Sequence, residues 1–205
     1  NREAMYWGPA RLTGSRAWLY EKGTKLTKPN RPQAQGHLPD SDYFWGDVLA
    51  ERVEYWRNFT FTDLNAFASC PQMPYKDPDR PFVPWWYTST HAPTLEPFLE
   101  ALAPARLDAL EASGGVAIIY THFGTNFVRD GVVDPRFIAT MEAVAERPVW
   151  SAPTSAVLDH IRAERTSTGQ LDARSRSRME NRWIADQLRA RAGSELRKAL
   201  KQRQR

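Results

Sequence analysis

Apolar residues recur at helical spacing between Asp42 and Arg57: Trp45, Leu49, Val53 and Trp56 stand at i, i+4, i+8 and i+11 and share one face. Ser41 or Asp42 can cap the start of that helix. The period then shortens. Phe59-Thr60-Phe61-Thr62 alternates β-formers and predicts a short strand ending at Asp63. Cys70 to Pro84 is too rich in proline for regular structure, and Trp85-Trp86-Tyr87-Thr88 predicts the next strand. Leu95 to Ala112 returns to a helical pattern, interrupted near Pro104 and stopped at Gly114-Gly115. The unbroken apolar run from Gly115 to Phe123 predicts a strand buried on both faces, as in a parallel sheet. Asp134 to Glu146 predicts a helix with Asp134 as N-cap and Pro135 at the first helical position. Pro148-Val149-Trp150 predicts a short strand, and Thr154 to Arg165 a helix with Val157, Leu158 and Ile161 inward. Strand, helix, strand, helix in this order predicts right-handed βαβ units and the α/β class.

The flanks read differently. Residues 1–42 form a loop-rich N-terminal segment, and Thr24 to Asp40, with three prolines and almost no apolar periodicity, reads as a long surface loop. Residues 43–165 are the βα-repeat body. Residues 166–205 are a basic helical tail on which Met179, Trp183, Ile184 and Leu188 form one packing stripe. The chain has 205 residues, of which 41% are hydrophobic and 12% aromatic, enough to bury a core. Its net charge of +4 hides an asymmetry: residues 161–205 carry 13 basic and 5 acidic side chains, and the rest is mildly acidic. In the absence of a nucleic-acid-binding motif, the basic tail reads as a solvated helix face rather than a nucleic-acid surface. No apolar run is long enough for a membrane span. The first residue is Asn1 and no signal-peptide pattern follows, so the chain reads as processed or as a piece of a longer protein.

Few residues invite chemistry. Cys70 is the one cysteine, and none of His37, His91, His122 and His160 pair at i, i+4, so no helix offers a two-His metal grip. His122 ends the predicted buried strand, the address where ligands gather in parallel sheets, and its imidazole can exchange a proton near neutral pH. Asp63 ends the Phe59–Thr62 strand, where it is either a catalytic group or a turn cap, a role that also suits Asn65. Arg80 beside Trp85, Trp86 and Tyr87 combines a charge with aromatic faces, as sugar sites do; the alternative is a core of rings with an Arg–Asp pair holding the Asp77–Pro81 loop. Asn58-Phe59-Thr60 matches a glycosylation sequon but runs into a predicted buried strand, and is set aside.

Gly114-Gly115-Val116-Ala117-Ile118-Ile119-Tyr120-Thr121-His122-Phe123, then Asp134-Pro135-Arg136-Phe137, Val149-Trp150-Ser151-Ala152-Pro153 and Val157-Leu158-Asp159, resemble the closing segments of polysaccharide deacetylase-like proteins. The resemblance covers roughly 114–162. It implies the C-terminal part of a distorted (β/α) barrel, with the basic C-terminal helix outside it, and a hydrolase acting on acetylated glycans. By the same resemblance His122 is the proton donor, Asp63 an acidic residue supporting it, and Arg2 or Arg80 a strand-end arginine. The family's paired acidic motif and His-x-x-x-His are absent, so no metal ligand is assigned and no cofactor is expected in this chain; a divalent metal, zinc, would come with a missing N-terminal half. Residues 1–205 alone are expected to lack deacetylase activity. The other reading is a catalytically inactive carbohydrate-binding or scaffold module that uses Trp85, Trp86 and Tyr87. Either reading implies a glycan partner, and the family is mostly exported or envelope-associated.

Overall fold

A computed structural model describes residues 3–27, 35–165 and 169–203, with side chains described through residue 190, Thr27 excepted, and at residue 193. Arg2, residues 28–34 of the expected loop, and the last residues of the basic tail lie outside the described residues. The fold is mixed α/β, built on a three-stranded parallel sheet in the order β1-β2-β3, from Tyr55–Phe61, Trp85–His91 and Ile119–Tyr120. β2 is the middle strand. Its aromatic and β-branched residues suit a pleated surface buried on both sides, and Trp86, Thr88, Ser89 and Thr90 are all buried. β2 pairs β3 with Thr90 opposite Ile119 and His91 opposite Tyr120.

The chain divides into two compact units. The first takes residues 1–58, 74–87 and 167–172; the second takes 59–73, 88–166 and 173–205.

In the first unit a short 3-10 turn, Gly8–Arg11, precedes helix α1, Gly14–Thr27. α1 occupies ground that the sequence reads as loop. Its outward side carries Trp18, Leu19 and Leu26, so no core-facing stripe exists to be read from the pattern. Helix α2 is Gly46–Arg52, and the chain is already a strand at Tyr55. The expected helix to Arg57 is cut short because Val53, extended at its C-cap, leads into β1. The helix starts after Trp45, with neither Ser41 nor Asp42 as its cap.

The irregular stretch before β2 is organised around Arg80. Its guanidinium is buried and ion-pairs with the buried Asp77 carboxylate. Its Nε and Nη2 donate to the Ala10 carbonyl at 3.1 and 3.0 Å, fixing the N-terminal segment. The cation lies 5.9 Å from the Tyr6 ring centroid and 5.8 Å from that of Trp86. The Asp77–Pro81 loop is therefore held by an Arg–Asp pair beneath core rings.

In the second unit helix α3, Ala66–Ser69, is capped by Asn65, whose side chain accepts from the Phe67 N–H. Helices α4, Leu95–Ala101, and α5, Pro104–Ala112, make the crossover from β2 to β3, with the break at Pro104 where the sequence places it. Gly114, at φ +55°, ends α5 in the left-handed conformation that glycine adopts without strain. The βαβ crossover is thus β2-α4-α5-β3, earlier in the chain than expected.

The Gly115–Phe123 run is a correction. Only Ile119–Tyr120 is strand, Ile118 is buried, Ala117 is exposed, and the rest are half-buried or exposed. β3 has β2 on one side and is the last strand of the sheet, which leaves its other side uncovered. A two-residue hairpin pair, β4 (Val128–Arg129) and β5 (Val132–Val133), follows. Helix α6, Pro135–Ala145, begins at Asp134 as expected, the carboxylate accepting from the Arg136 N–H at 2.9 Å. Phe98, Phe123, Phe127 and Phe137 form one ring cluster, with centroids 5.2–6.2 Å apart. Pro148–Trp150 is not a strand; helix α7, Thr154–Ala163, follows directly and buries Leu158 and Ile161.

Helix α8, Ala173–Arg203, is docked rather than trailing in its first half. Trp183 meets Phe59 at 5.1 Å between ring centroids. Asp186 accepts from the Thr62 N–H at 3.1 Å and the Thr62 hydroxyl at 2.5 Å. Met179 and Trp183 are buried as predicted, whereas Leu188 is exposed and does not complete the stripe.

Removing one member of a buried ion pair leaves the other charge stranded. Arg80→Met is expected to cost about 3–5 kcal/mol in urea unfolding followed by tryptophan fluorescence. The double variant Asp77→Asn/Arg80→Met recovers much of that loss if the pair, rather than the arginine's packing, is responsible.

Candidate functional site

Two places gather polar or aromatic side chains, one in each unit. In the second unit they lie at the carboxyl ends of the three parallel strands, where backbone N–H groups and loops are open to a ligand. Asp63 follows β1, His91 ends β2, and Tyr120 ends β3 with His122 two residues on. Strand pairing sets His91 opposite Tyr120, their rings stacked 6.0 Å apart at centroids. Tyr120 reaches forward, its hydroxyl 2.6 Å from His122 Nε2 with the rings edge-on. His122 is exposed, and its backbone N–H is tied to the Pro93 carbonyl at 3.1 Å. The contact to the Tyr120 hydroxyl fixes the orientation of the imidazole.

Asp63 has the strand-end address but different company. Its carboxylate accepts from Arg182 Nη2 at 2.8 Å and from the Ser69 hydroxyl at 3.2 Å. The Thr90 hydroxyl donates to its backbone carbonyl at 2.8 Å. The turn cap is Asn65, as its neighbouring position allows, and Asp63 anchors α8. Asp63 lines a cavity of about 410 Å³ together with Thr62, Asn65 and Arg106; His122 is not part of that lining.

The larger cavity, about 960 Å³, lies in the first unit. Its wall is dominated by rings, among them Tyr6, Trp45, Trp56, Trp86 and Tyr87. Two charges of each sign join them: Glu3, Asp42, Arg11 and Arg57. Trp86 and Tyr87 therefore line it as the aromatic reading expects, on β2. Trp85 does not, and sits against Gly169, with the Lys76 ammonium 4.7 Å from its ring. Arg80 is not in the lining either; it supports two of the rings from below.

The floor of this cavity has polar atoms left over. Asn58 is 2% exposed and donates to the Tyr75 hydroxyl at 3.1 Å, while its Oδ1 has no protein partner. Trp86 is 1% exposed, and its indole Nε1 has none. Each such group costs about 1–3 kcal/mol when buried without a partner. The rim is held by Gly36. A side chain there would collide with the Glu3 carbonyl and the Trp45 indole, which are themselves hydrogen-bonded to each other.

Tyr6 occupies φ +46°, a strained value for a tyrosine, and its ring packs on His37 at 4.9 Å and on Trp86 at 5.5 Å. Burial pushes the Tyr6 phenol up to about 12. Burial, and then the Arg80 cation, hold the His37 imidazole below its ordinary value. Burial likewise raises the Tyr87 phenol, against the pull of nearby Arg57. Burial also pushes Cys70 up to about 12, so it is no ready nucleophile.

Sequence reasoning missed Asn58, Tyr6, Tyr120 and His91. Asn58 carried a signal in its sequon, yet the side chain is buried and engaged, which excludes it as a glycan acceptor in this fold. Tyr120 carried one in its spacing, two residues before His122 and so on the same side of an extended chain. Tyr6 carried none. Compared with protein-family models, curated proteins and solved structures, the chain gives no match.

A histidine whose folded pKa is depressed binds its proton more readily in the unfolded chain. The stability it contributes is full above the unfolded value of 6.5 and declines as pH falls below it. Urea unfolding measured on both sides of pH 6.5 is expected to show that decline, and His37→Gln to flatten it.

Proposed function

We propose that the chain belongs to a glycan-acting hydrolase of the polysaccharide deacetylase kind, with the distorted (β/α) barrel that such a fold implies. What supports this is the resemblance over roughly 114–162 together with one observation, the Tyr120–His122 hydrogen bond at the exposed carboxyl end of a parallel strand. In acyl transfer from an acetylated sugar, water adds to the acetyl carbonyl and the tetrahedral species collapses by breaking the bond to the sugar nitrogen or oxygen. His122 takes up the proton that the attacking water gives off and passes it to this leaving atom, so the imidazole ends as neutral as it began. Tyr120 keeps the imidazole oriented for that transfer and is a positioning residue. Asp63 holds α8 through Arg182 and takes no proton in this scheme.

Such hydrolases use a divalent metal to activate the water. Among the described residues no group of three His, Cys, Asp or Glu side chains is arranged to hold one. The residues present do not fit a metal site, and no step is assigned through a metal. The test is acetate release from an acetylated chito-oligosaccharide by the full gene product. His122→Ala is expected to lower the rate by about 10²–10⁴-fold, with the fold retained by circular dichroism. Tyr120→Phe is expected to have a smaller effect and to shift the pH profile. An unchanged rate in His122→Ala would remove this reading.

A second reading is favoured by the unpartnered Asn58 and Trp86 atoms in the aromatic wall of the first unit. It is a carbohydrate-binding module in which Tyr87 and Trp56 stack on sugar C–H faces while the floor atoms meet hydroxyl or amide groups. Calorimetric titration with an N-acetylglucosamine tetramer tests it. Tyr87→Ala and Trp56→Ala are expected to weaken binding about tenfold or more, and His122→Ala to leave it unchanged. Absence of any heat in the unmodified chain counts against it.

A further inference from the structure

A surface helix ordinarily turns its apolar stripe inward. α1 has no such inward stripe, and large apolar side chains stand on its outward side. Its half-buried side is Ala17, Tyr20, Glu21 and Thr24, whereas Trp18, Leu19 and Leu26 are 58%, 60% and 86% exposed. On a helical wheel these three lie on one outward face with Lys22 and Lys25 between them, at positions i, i+1, i+4, i+7 and i+8. The Lys22 ammonium sits 5.7 Å from the Trp18 ring centroid. Lys25 is paired with Glu21 at 2.8 Å. Glu21 is also the one acidic residue between positions 4 and 39, a stretch with six basic residues: Arg11, Arg16, Lys22, Lys25, Lys28 and Arg31.

We propose that the outward face of α1 docks on an anionic phospholipid surface. Trp18, Leu19 and Leu26 enter the boundary between headgroups and acyl chains, where an indole is well accommodated, and Lys22 and Lys25 meet the lipid phosphates. The charge of the surrounding stretch selects an anionic surface over a neutral one. No helix among the described residues is long and apolar enough to cross a membrane, so this contact lies in the plane of the interface.

Co-sedimentation of the full chain with vesicles tests the proposal. Vesicles of phosphatidylcholine containing phosphatidylglycerol are compared with vesicles of phosphatidylcholine alone, at low and high salt. Binding to the anionic vesicles, lost at high salt, is expected. Trp18→Ser/Leu26→Ser and Lys22→Glu/Lys25→Glu each lower it by at least about tenfold. All four positions are exposed, and circular dichroism checks that both variants keep their helix content. Equal binding to both vesicle types, no binding to either, or full binding by the two variants overturns the proposal. So does self-association of the chain that Leu26→Ser abolishes without any vesicle binding, which would make a second copy the occupant. Glycan binding and acetate release are read separately, so failure here is distinct from failure of either functional reading.

Discussion

A guanidinium taken out of water must find opposite charge and acceptors for its N–H groups, and in the first unit that demand organises everything around Arg80. Asp77 neutralises it, and the Ala10 carbonyl takes two of its hydrogen bonds. The cation faces the rings of Tyr6 and Trp86. One side chain thus joins the N-terminal segment, the proline-rich loop and the middle strand. Burial, and with it the same charge, holds the His37 imidazole below its ordinary value. Two rings of the aromatic wall thus rest on an ion pair that lies outside the cavity lining.

The second unit depends on how β1 ends. Thr90 takes the Asp63 carbonyl, Asn65 caps α3, and the Asp63 and Thr62 side chains fasten Arg182 and Asp186 of α8. The Asp63 carboxylate ties α8 to the end of β1 through Arg182. The parallel register of β2 and β3 then brings His91, Tyr120 and His122 together, and a phenol, not a carboxylate, orients the imidazole.

Long basic helices meet different fates in the two units. The first half of α8 is pinned by a buried tryptophan, by Asp186 on Thr62 just after β1, and by Arg182 on Asp63. α1 differs in its apolar residues: Trp18, Leu19 and Leu26 stand exposed on its outward side.

Much of this was legible in the residues. Asp134-Pro135 announced the start of α6, Pro104 the break between α4 and α5, and Gly114 the end of α5, because caps and breakers act through local backbone geometry. Trp86 and Tyr87 were legible as strand residues with rings to offer. Depth was not: the Gly115–Phe123 run reads as buried on both faces, but burial depends on whether a second neighbour covers the strand. α1 was invisible because helix periodicity is detectable only when an apolar stripe serves a core. The roles of Arg80, Asp63, Asn58 and Tyr120 were likewise decided by tertiary structure. Whether a charge becomes a catalyst, a tether or a buried support depends on which distant groups lie within about 3 Å of it, and chain order alone does not contain those distances.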